Sequence, residues 1–552
     1  MTGTRRPSAP GLPPWVPLAV VASLALAAGA TGLGNGFAYD DVPLVLRNDR
    51  VHDLAGILHR FAESYWPRIP LGPDGRLYRP LTTAGFTLQW ALGGGAPGLF
   101  HLVSLILYVV VALLVYGLAR RFLPAGPATL AGAAFAVHPV HTEVTGNIVG
   151  QGELLAAAWG LLATILVADG ARLGWSARRM AGAVGAVGLA LLSKEHALIL
   201  LALIPALILA AGGRRALHQE ATGRLIVLLL GVAVLYLSLR AGLLGSVAGD
   251  LPNPFWRGVS AGDRVRTVLS GLPTVARLLV WPAHLQADYA PRELPLATAV
   301  TPAVALGAGL ILALALGCWL GRRQPALWLG GVWLVVTLLP ASNLLFPTGI
   351  VLAERTLFLP SVGLALMVGS LVARWPHGRP GTLLLGACAW GLLLAGATRS
   401  ALRLPVWRNN QVLYAATIRD APESYWAWRN YAGDLVLQGR PDDARAAYAR
   451  SLSLFDRDPT VYDDFAGLER REGRCDRSLP LLDQALHLDP ERPQTAARLI
   501  GCLVTLGAFD SARGVARRQV AGGHEEFRSL LGLVDSAAQA RHLDAPPARQ
   551  PR

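Results

Sequence analysis

The 552-residue sequence has a single lysine, Lys194, three methionines and four cysteines, and only 16% of its residues are charged against 53% hydrophobic ones. So little charge for so much apolar content excludes an ordinary soluble globular protein of this length. Cys318, Cys388, Cys475 and Cys502 form no CxxC pair and no zinc-ligand spacing, which excludes a metal module or a disulfide scaffold. The first two lie in apolar runs and the last two read as packed inside helices. A Cys475–Cys502 disulfide stays open if that region faces an oxidising compartment. No basic helix interleaved with aromatics occurs, so the net charge of +14 is not a nucleic-acid footprint and no nucleic-acid partner is expected. The near absence of lysine beside abundant Ala, Gly and Arg fits a GC-rich, bacterial genome. The apolar core at 15–31, preceded by Arg5 and Arg6, lacks a convincing cleavage site, so it is expected to remain as an uncleaved first span.

What the chain does have, up to about residue 400, is a series of apolar runs, most of about 17–22 residues, the length a helix needs to cross hydrocarbon. Spans are expected at 14–31, 99–119, 126–139, 153–170, 180–193, 196–212, 224–240, 299–320, 326–343, 354–373 and 381–399. With the N-terminus inside, Arg120–Arg121, Arg172 with Arg178–Arg179, Arg214–Arg215, Arg322–Arg323 and Arg374 with Arg379 all fall on the cytoplasmic side, as the positive-inside rule requires. This parity holds if 268–284, with two prolines and Arg277, does not cross but forms a re-entrant or interfacial element. The expected class is therefore all-α: a membrane bundle of about 11 spans over 1–400, with long outer loops at 32–98 and 241–298. A linker at 401–420, a helical domain at 421–540 and a disordered tail at 541–552 follow. The protein is expected in a bacterial inner membrane, with its C-terminal domain on the outer, periplasmic side.

The C-terminal domain repeats. LQGRPDDARAAYARSL, REGRCDRSLPLLDQAL and TLGAFDSARGVARRQV place Gly439, Gly473 and Gly507 at intervals of 34 residues, the period of tetratricopeptide (TPR) helix pairs. Asp458–Pro459 and Asp489–Pro490 are expected at junctions between helices. A short solenoid of about three such pairs normally holds a peptide or a partner; the bland alternative is a stabilising cap on the membrane domain.

Four clusters carry the candidate chemistry. FAYDD puts Asp40 and Asp41 where the chain leaves the first span, either as a helix cap and hydrated exit or as an acid–base centre. The same loop holds Tyr65, Trp66, Arg68, Arg76, Tyr78 and Arg79, and guanidinium groups there suit a phosphorylated, sugar-bearing lipid. AVHPVHTEVTGNIVGQGELL brings His138, His141, Glu143, Asn147, Gln151 and Glu153, with polar gating between spans preferred over a metal site because Pro139 breaks the helix that would align the imidazoles. There Glu143 and Glu153 either hold an arginine or bind sugar hydroxyls. LLSKEHA places Lys194, Glu195 and His196 between two apolar runs, as a snorkelling pair or a phosphate contact. NLLFPTGIVLAER puts Glu354 and Arg355 at the start of a span, where an outer arginine calls for an anionic partner: Glu354, a loop acid or a lipid phosphate.

Taken in order, FAYDD, YRPLTT, FHLVSLILY, AVHPVHTEVTGNIVGQGELL, LLSKEHA, SNLLFPTGIVLAERTLFLPSVG and the repeats resemble the transmembrane and tetratricopeptide-repeat-containing O-mannosyltransferase family, over nearly the whole chain. That family belongs to the GT-C class of membrane glycosyltransferases, which use polyprenyl-phosphate sugars. The resemblance implies transfer of a sugar, mannose being favoured, to a Ser/Thr hydroxyl of a protein on the outer face. It implies catalysis at the acidic pair, Asp40 and Asp41; position alone slightly favours Asp41 as base, because it lies farther from the span. Donor phosphate or sugar contacts would come from Arg79, Lys194, Glu195, Glu354, Arg355, His138, His141 and Glu143. Implied partners are the lipid-linked donor, membrane lipids and a protein acceptor positioned by the repeats. No cofactor is required, though a divalent ion at Asp40/Asp41 stays open. The repeat array here is shorter than in eukaryotic members, so the acceptor is expected to differ. Two rivals remain: the same chemistry on a lipid or cell-wall glycan, and a membrane-anchored repeat scaffold without activity.

Overall fold

A computed structural model describes residues 13–67, 77–245, 253–289, 291–375 and 381–543, and these residues contain no strand. The membrane part begins with α1 (Trp15–Gly29), the one-turn α2 (Asp49–His52), α3 (Pro80–Gly93), α4 (Pro97–Ala119) and α5 (Ala125–Ala136). It continues with the short α6 (Thr142–Gly146), α7 (Gln151–Leu173), α8 (Ala177–Ser193), α9 (Ile199–Leu217) and α10 (Glu220–Leu244). It ends with α11 (Ala261–Val280), α12 (Pro302–Leu320), α13 (Pro325–Leu338), α14 (Pro360–Ala373) and α15 (Thr382–Arg403). Proline punctuates the series: Pro80, Pro97, Pro302, Pro325 and Pro360 each open a helix, where the missing N–H is no loss.

Each of the eleven expected spans falls largely on a helix, and among the described residues seven segments are long and apolar enough to cross a membrane by themselves. The protein is an integral membrane protein. Leu383, Leu312 and Val227 lie uncovered on α15, α12 and α10, as side chains facing lipid tails do. Small residues let the inner helices approach. At the α13–α14 crossing a Cβ on Gly330 would sit 2.6 Å from the Gly363 carbonyl oxygen, and one on Gly363 2.7 Å from the Leu334 nitrogen. Backbone cannot yield as a side chain would. Gly363→Val is therefore expected to cost about 1–3 kcal/mol, read as a fall in the unfolding temperature of the detergent-solubilised protein; an unchanged temperature would show that the crossing can relax.

Two expectations change and one is narrowed. Of the two forms open to the non-crossing segment 268–284, re-entrant or interfacial, the structure has no re-entrant turn over 268–280: α11 is one continuous helix with Asp263, Arg264, Arg266 and Arg277, too charged to qualify as a span, and it packs along α12. The run expected as a span from residue 354 becomes helical for good only at Pro360; Glu354–Leu357 is a separate 3₁₀ turn that leaves Glu354 and Arg355 outside the helix. Residues 401–420 are not a loose connection. α15 runs to Arg403, a 3₁₀ turn covers Leu404–Trp407 and α16 follows at Asn410–Asp420. Leu404 and Trp407 are buried, and backbone carbonyls of this segment accept from the Thr31 hydroxyl, the Asn35 side chain and the Gly36 N–H. Arg5, Arg6, Arg68, Arg76, Arg379 and most of the expected tail at 541–552 lie outside the described residues.

The repeats form three helix pairs and a closing helix: α17 (Tyr425–Leu437) with α18 (Pro441–Leu454), α19 (Pro459–Arg471) with α20 (Cys475–Leu488), α21 (Pro493–Thr505) with α22 (Phe509–Ala521), then α23 (Phe527–Leu543). Gly439, Gly473 and Gly507 have φ of 72°, 74° and 77°. Each lets the chain reverse after the first helix of its pair, and the next N–H bonds back to Leu435, Glu469 and Leu503 in turn. Asp458 caps α19 through the Thr460 N–H, whereas the next first helix starts at Pro493, so Asp489–Pro490 lies in the preceding turn. Cys475 and Cys502 are paired, joining α20 to α21 with their Cα atoms 5.1 Å apart.

Candidate active site

The loop after α1, the 138–150 segment, the 194–198 turn and the 343–357 segment meet at the face of the bundle that carries the repeats. Tyr39 sets the loop's direction. Its φ is 53°, a strained value for a bulky residue, and its N–H is held by the Asn410 side chain at 2.6 Å. The two acids that follow therefore point differently. Asp41 is fully buried, and its oxygens accept from the Val149 N–H at 2.9 Å and the Ala38 N–H at 3.2 Å. Asp40 is half-buried and its carboxylate has no hydrogen bond or ion pair among the described residues.

Around Asp40 stand three cations, each gripped by its own glutamate. Arg79 reaches both oxygens of Glu195, with Nε at 2.9 Å from Oε2, and lies over the Tyr65 ring at 4.8 Å. Lys194 pairs with Glu153. Arg355 is held twice by buried Glu143, through its N–H at 2.8 Å and through its guanidinium. Glu143, in α6, thus holds an arginine, one of the two roles open to it. Such pairing makes partly buried cations affordable. It leaves Nη1 of Arg79, Nε and Nη2 of Arg355 and two ammonium protons of Lys194 without protein acceptors among the described residues. Burial pushes the Asp40 carboxyl up to about 6, against the pull of Arg355, Arg79 and Lys194. Burial takes Asp41 to about 7, against its backbone N–H bonds.

The remaining sequence candidates fall elsewhere. Glu354 faces away from Arg355: one oxygen accepts from the Gln286 N–H at 2.6 Å and the Tyr289 hydroxyl at 3.0 Å, and burial raises it to about 8. It braces the second outer loop and does not reach the cation group. His138 bonds the Leu279 carbonyl and receives the Val140 N–H. His141 lies between the Tyr108 and Ser361 hydroxyls, each at 2.9 Å. Both imidazoles use both ring nitrogens on protein partners and brace the packing around them. Gly150 packs against the Val144 carbonyl with no room for a Cβ, which lets the loop bend tightly enough to aim the Val149 N–H at Asp41. Asn410, Trp407 and Trp426 are parts of the site that the sequence reading passed over. Their signal was the NNQVLY helix start inside what was read as a linker.

Beside Arg355 a cleft of about 620 Å³ runs between the membrane part and the first repeat. Tyr39, Glu143 and Arg355 form one end; Tyr425 and Trp426 of α17 line it, and the backbone of 349–353 forms a wall. Tyr39 meets Trp426 edge-on at 5.2 Å. The repeats are firmly seated. Phe255 and Trp256 of the second outer loop are buried among Tyr425, Leu435, Tyr448 and Leu468, Arg257 bonds Asp489 at 2.9 Å, and Asp288 accepts from the Ser424 hydroxyl at 2.6 Å.

Fold and site together define an integral membrane protein with a half-buried carboxylate, a paired-cation cluster and a helical-repeat cap on one face. No family model matches the chain. It is similar to curated protein O-mannosyl-transferases: 26% identical to TMTC4 of Homo sapiens, covering 79% of this chain and 66% of that protein. It is also 27% identical to F38B6.6 of Caenorhabditis elegans, covering 79% and 62%, and 25% identical to TMTC3 of Mus musculus, covering 80% and 51%. These are the relatives that the motif order had suggested; the chain spans only about half to two thirds of their length. Among solved structures, ArnT from Cupriavidus metallidurans bound to undecaprenyl phosphate overlays 92% of this chain and 80% of its own, with 14% identity and a TM-score of 0.40. The oligosaccharyltransferase AglB of Archaeoglobus fulgidus, in complex with an inhibitory peptide and a dolichol-phosphate, overlays 72% of this chain and 57% of its own, with 13% identity and a TM-score of 0.39.

Proposed function

We propose that the protein is a glycosyltransferase that moves a sugar, mannose in the first instance, from a polyprenyl phosphate to a Ser/Thr hydroxyl of a protein. The face that carries the repeats is then the outer face of a bacterial inner membrane. The observation that supports this reading most is the unpartnered Asp40 carboxylate beside three cations that keep unused N–H donors. In the reaction, Asp40 takes the proton from the acceptor hydroxyl as its oxygen attacks the anomeric carbon from the side opposite the phosphate. The bond to the phosphate oxygen breaks with inversion at that carbon. The charge released onto the phosphate falls to Arg79, Lys194 and Arg355, whose donors are fixed before reaction and need little reorganisation. Asp41 acts at one remove, holding the loop through Val149. The acceptor segment lies in the cleft between Arg355 and Trp426, and the relatives named as protein O-mannosyl-transferases support a protein as that acceptor.

Purified protein incubated with synthetic polyprenyl-phosphate mannose and Ser/Thr-rich envelope proteins should release polyprenyl phosphate in step with sugar bound to hydroxyl side chains, read by mass spectrometry after protease digestion. Sugar appearing only on lipid or glycan would sink the protein-acceptor reading and keep the chemistry. Because only ionised Asp40 can accept the proton, kcat/KM should rise about tenfold per pH unit below pH 6 and level off above it. A flat profile from pH 5 to 7 would remove Asp40 from the base role.

A further inference from the structure

A second cavity, of about 610 Å³, opens at the end of α15 on the same face, and no step of the proposed reaction uses it. Its lining includes Arg399, Arg403 and Arg419 with Asp420 as the one acid, beside His284. Counting only these arginines and the acid, the net charge is +2 with the imidazole neutral. Arg399 and Arg403 are four residues apart and so share one face of α15. Arg399 reaches the Ala283 carbonyl with Nε and Nη2, at 3.2 and 3.0 Å. Arg403 is 5% exposed and gives Nη1 to Asp420 at 2.5 Å, while its Nε is buried without a partner among the described residues. Arg419 only grazes Asp420, and its side chain is 74% exposed.

Arginines near the C-terminal end of a helix are ordinarily explained by its dipole. That account does not explain a buried guanidinium nitrogen with no acceptor in a cavity where cations outnumber acids. A buried donor of this kind calls for an anion. The cavity lies at the C-terminal end of the candidate span Leu383–Trp407, and Leu402 in its lining is 70% exposed, offering an apolar wall for an acyl chain. Planar guanidinium forks match phosphate oxygens.

We propose that this cavity binds the phosphate of an anionic membrane phospholipid, with Arg399, Arg403 and Arg419 as the contacts. An occupant would also brace Gln286, another lining residue, whose N–H holds Glu354 next to Arg355, but the site stands on binding alone and does not depend on the transferase reading. The test uses the full chain as wild type and as the double variant Arg399→Gln/Arg419→Gln. Arg403 is kept, because its loss would leave the partly buried Asp420 without its main partner. Native mass spectrometry from phosphatidylglycerol and phosphatidylcholine nanodiscs, with inorganic phosphate as a third arm, reads retained ligand. Wild type should keep phosphatidylglycerol and not phosphatidylcholine, and the double variant should bind it at least tenfold more weakly while its melting temperature in phosphatidylcholine stays that of wild type. Equal retention by both proteins overturns the proposal. So does inorganic phosphate displacing phosphatidylglycerol at equal concentration, which would mark a site for the free anion.

Discussion

Asp40→Asn and Asp41→Asn are expected to fail in different ways. Asp40→Asn removes the base and should slow single-turnover transfer by about a hundred- to ten-thousandfold. It should leave the unfolding temperature unchanged, because the Asp40 carboxylate makes no contact that folding depends on. Asp41→Asn keeps the shape but turns one acceptor into an NH₂ group facing a backbone N–H, of Ala38 or of Val149. A buried donor pair of this kind should cost about 1–3 kcal/mol, so that variant should melt lower and lose activity through loop displacement, with its pH profile still that of Asp40. The opposite pattern, Asp40→Asn destabilised and Asp41→Asn folded but inert, would exchange the two roles.

Glu143→Ala should be the most disruptive single change in the site. Glu143 is 3% exposed and satisfies both the backbone N–H and the guanidinium of Arg355. Its loss leaves a partly buried charge and a backbone donor unpaired, at about 3–5 kcal/mol. The variant should express poorly, or unfold well below wild type in a detergent melt. Glu143→Gln keeps one acceptor and should recover part of the stability with little transfer, since Arg355 would be held less rigidly. Wild-type stability in Glu143→Ala would show that Arg355 is held by something else.

Much of this architecture was legible before any coordinates. Apolar run length and arginine position give the spans, because hydrocarbon thickness and the charge bias of loops act locally along the chain. The 34-residue spacing of Gly439, Gly473 and Gly507 gives the repeats, because a positive φ at that turn needs glycine. The order of the acids was not legible. Distance from the span favoured Asp41, whereas the proposed assignment to Asp40 draws on the backbone turn at Tyr39 and on an N–H that Val149, 108 residues later, gives to Asp41. Glu354 was one of three partners open to Arg355 because the two are neighbours, yet their side chains part, one to Gln286 and the other to Glu143. The segment after α15 reads as a linker between two domains, while its backbone carbonyls and the Asn410 side chain hold residues some 370 positions earlier.

The most direct test of the central claim is transfer of radiolabelled mannose from synthetic polyprenyl-phosphate mannose to protein in membranes holding wild type or Asp40→Asn at matched levels. The account predicts label in hydroxyl-linked sugar on protein with wild type and background counts with Asp40→Asn. Equal labelling by both would contradict it, and Asp40 would then be a hydrated loop exit in a protein whose chemistry lies elsewhere.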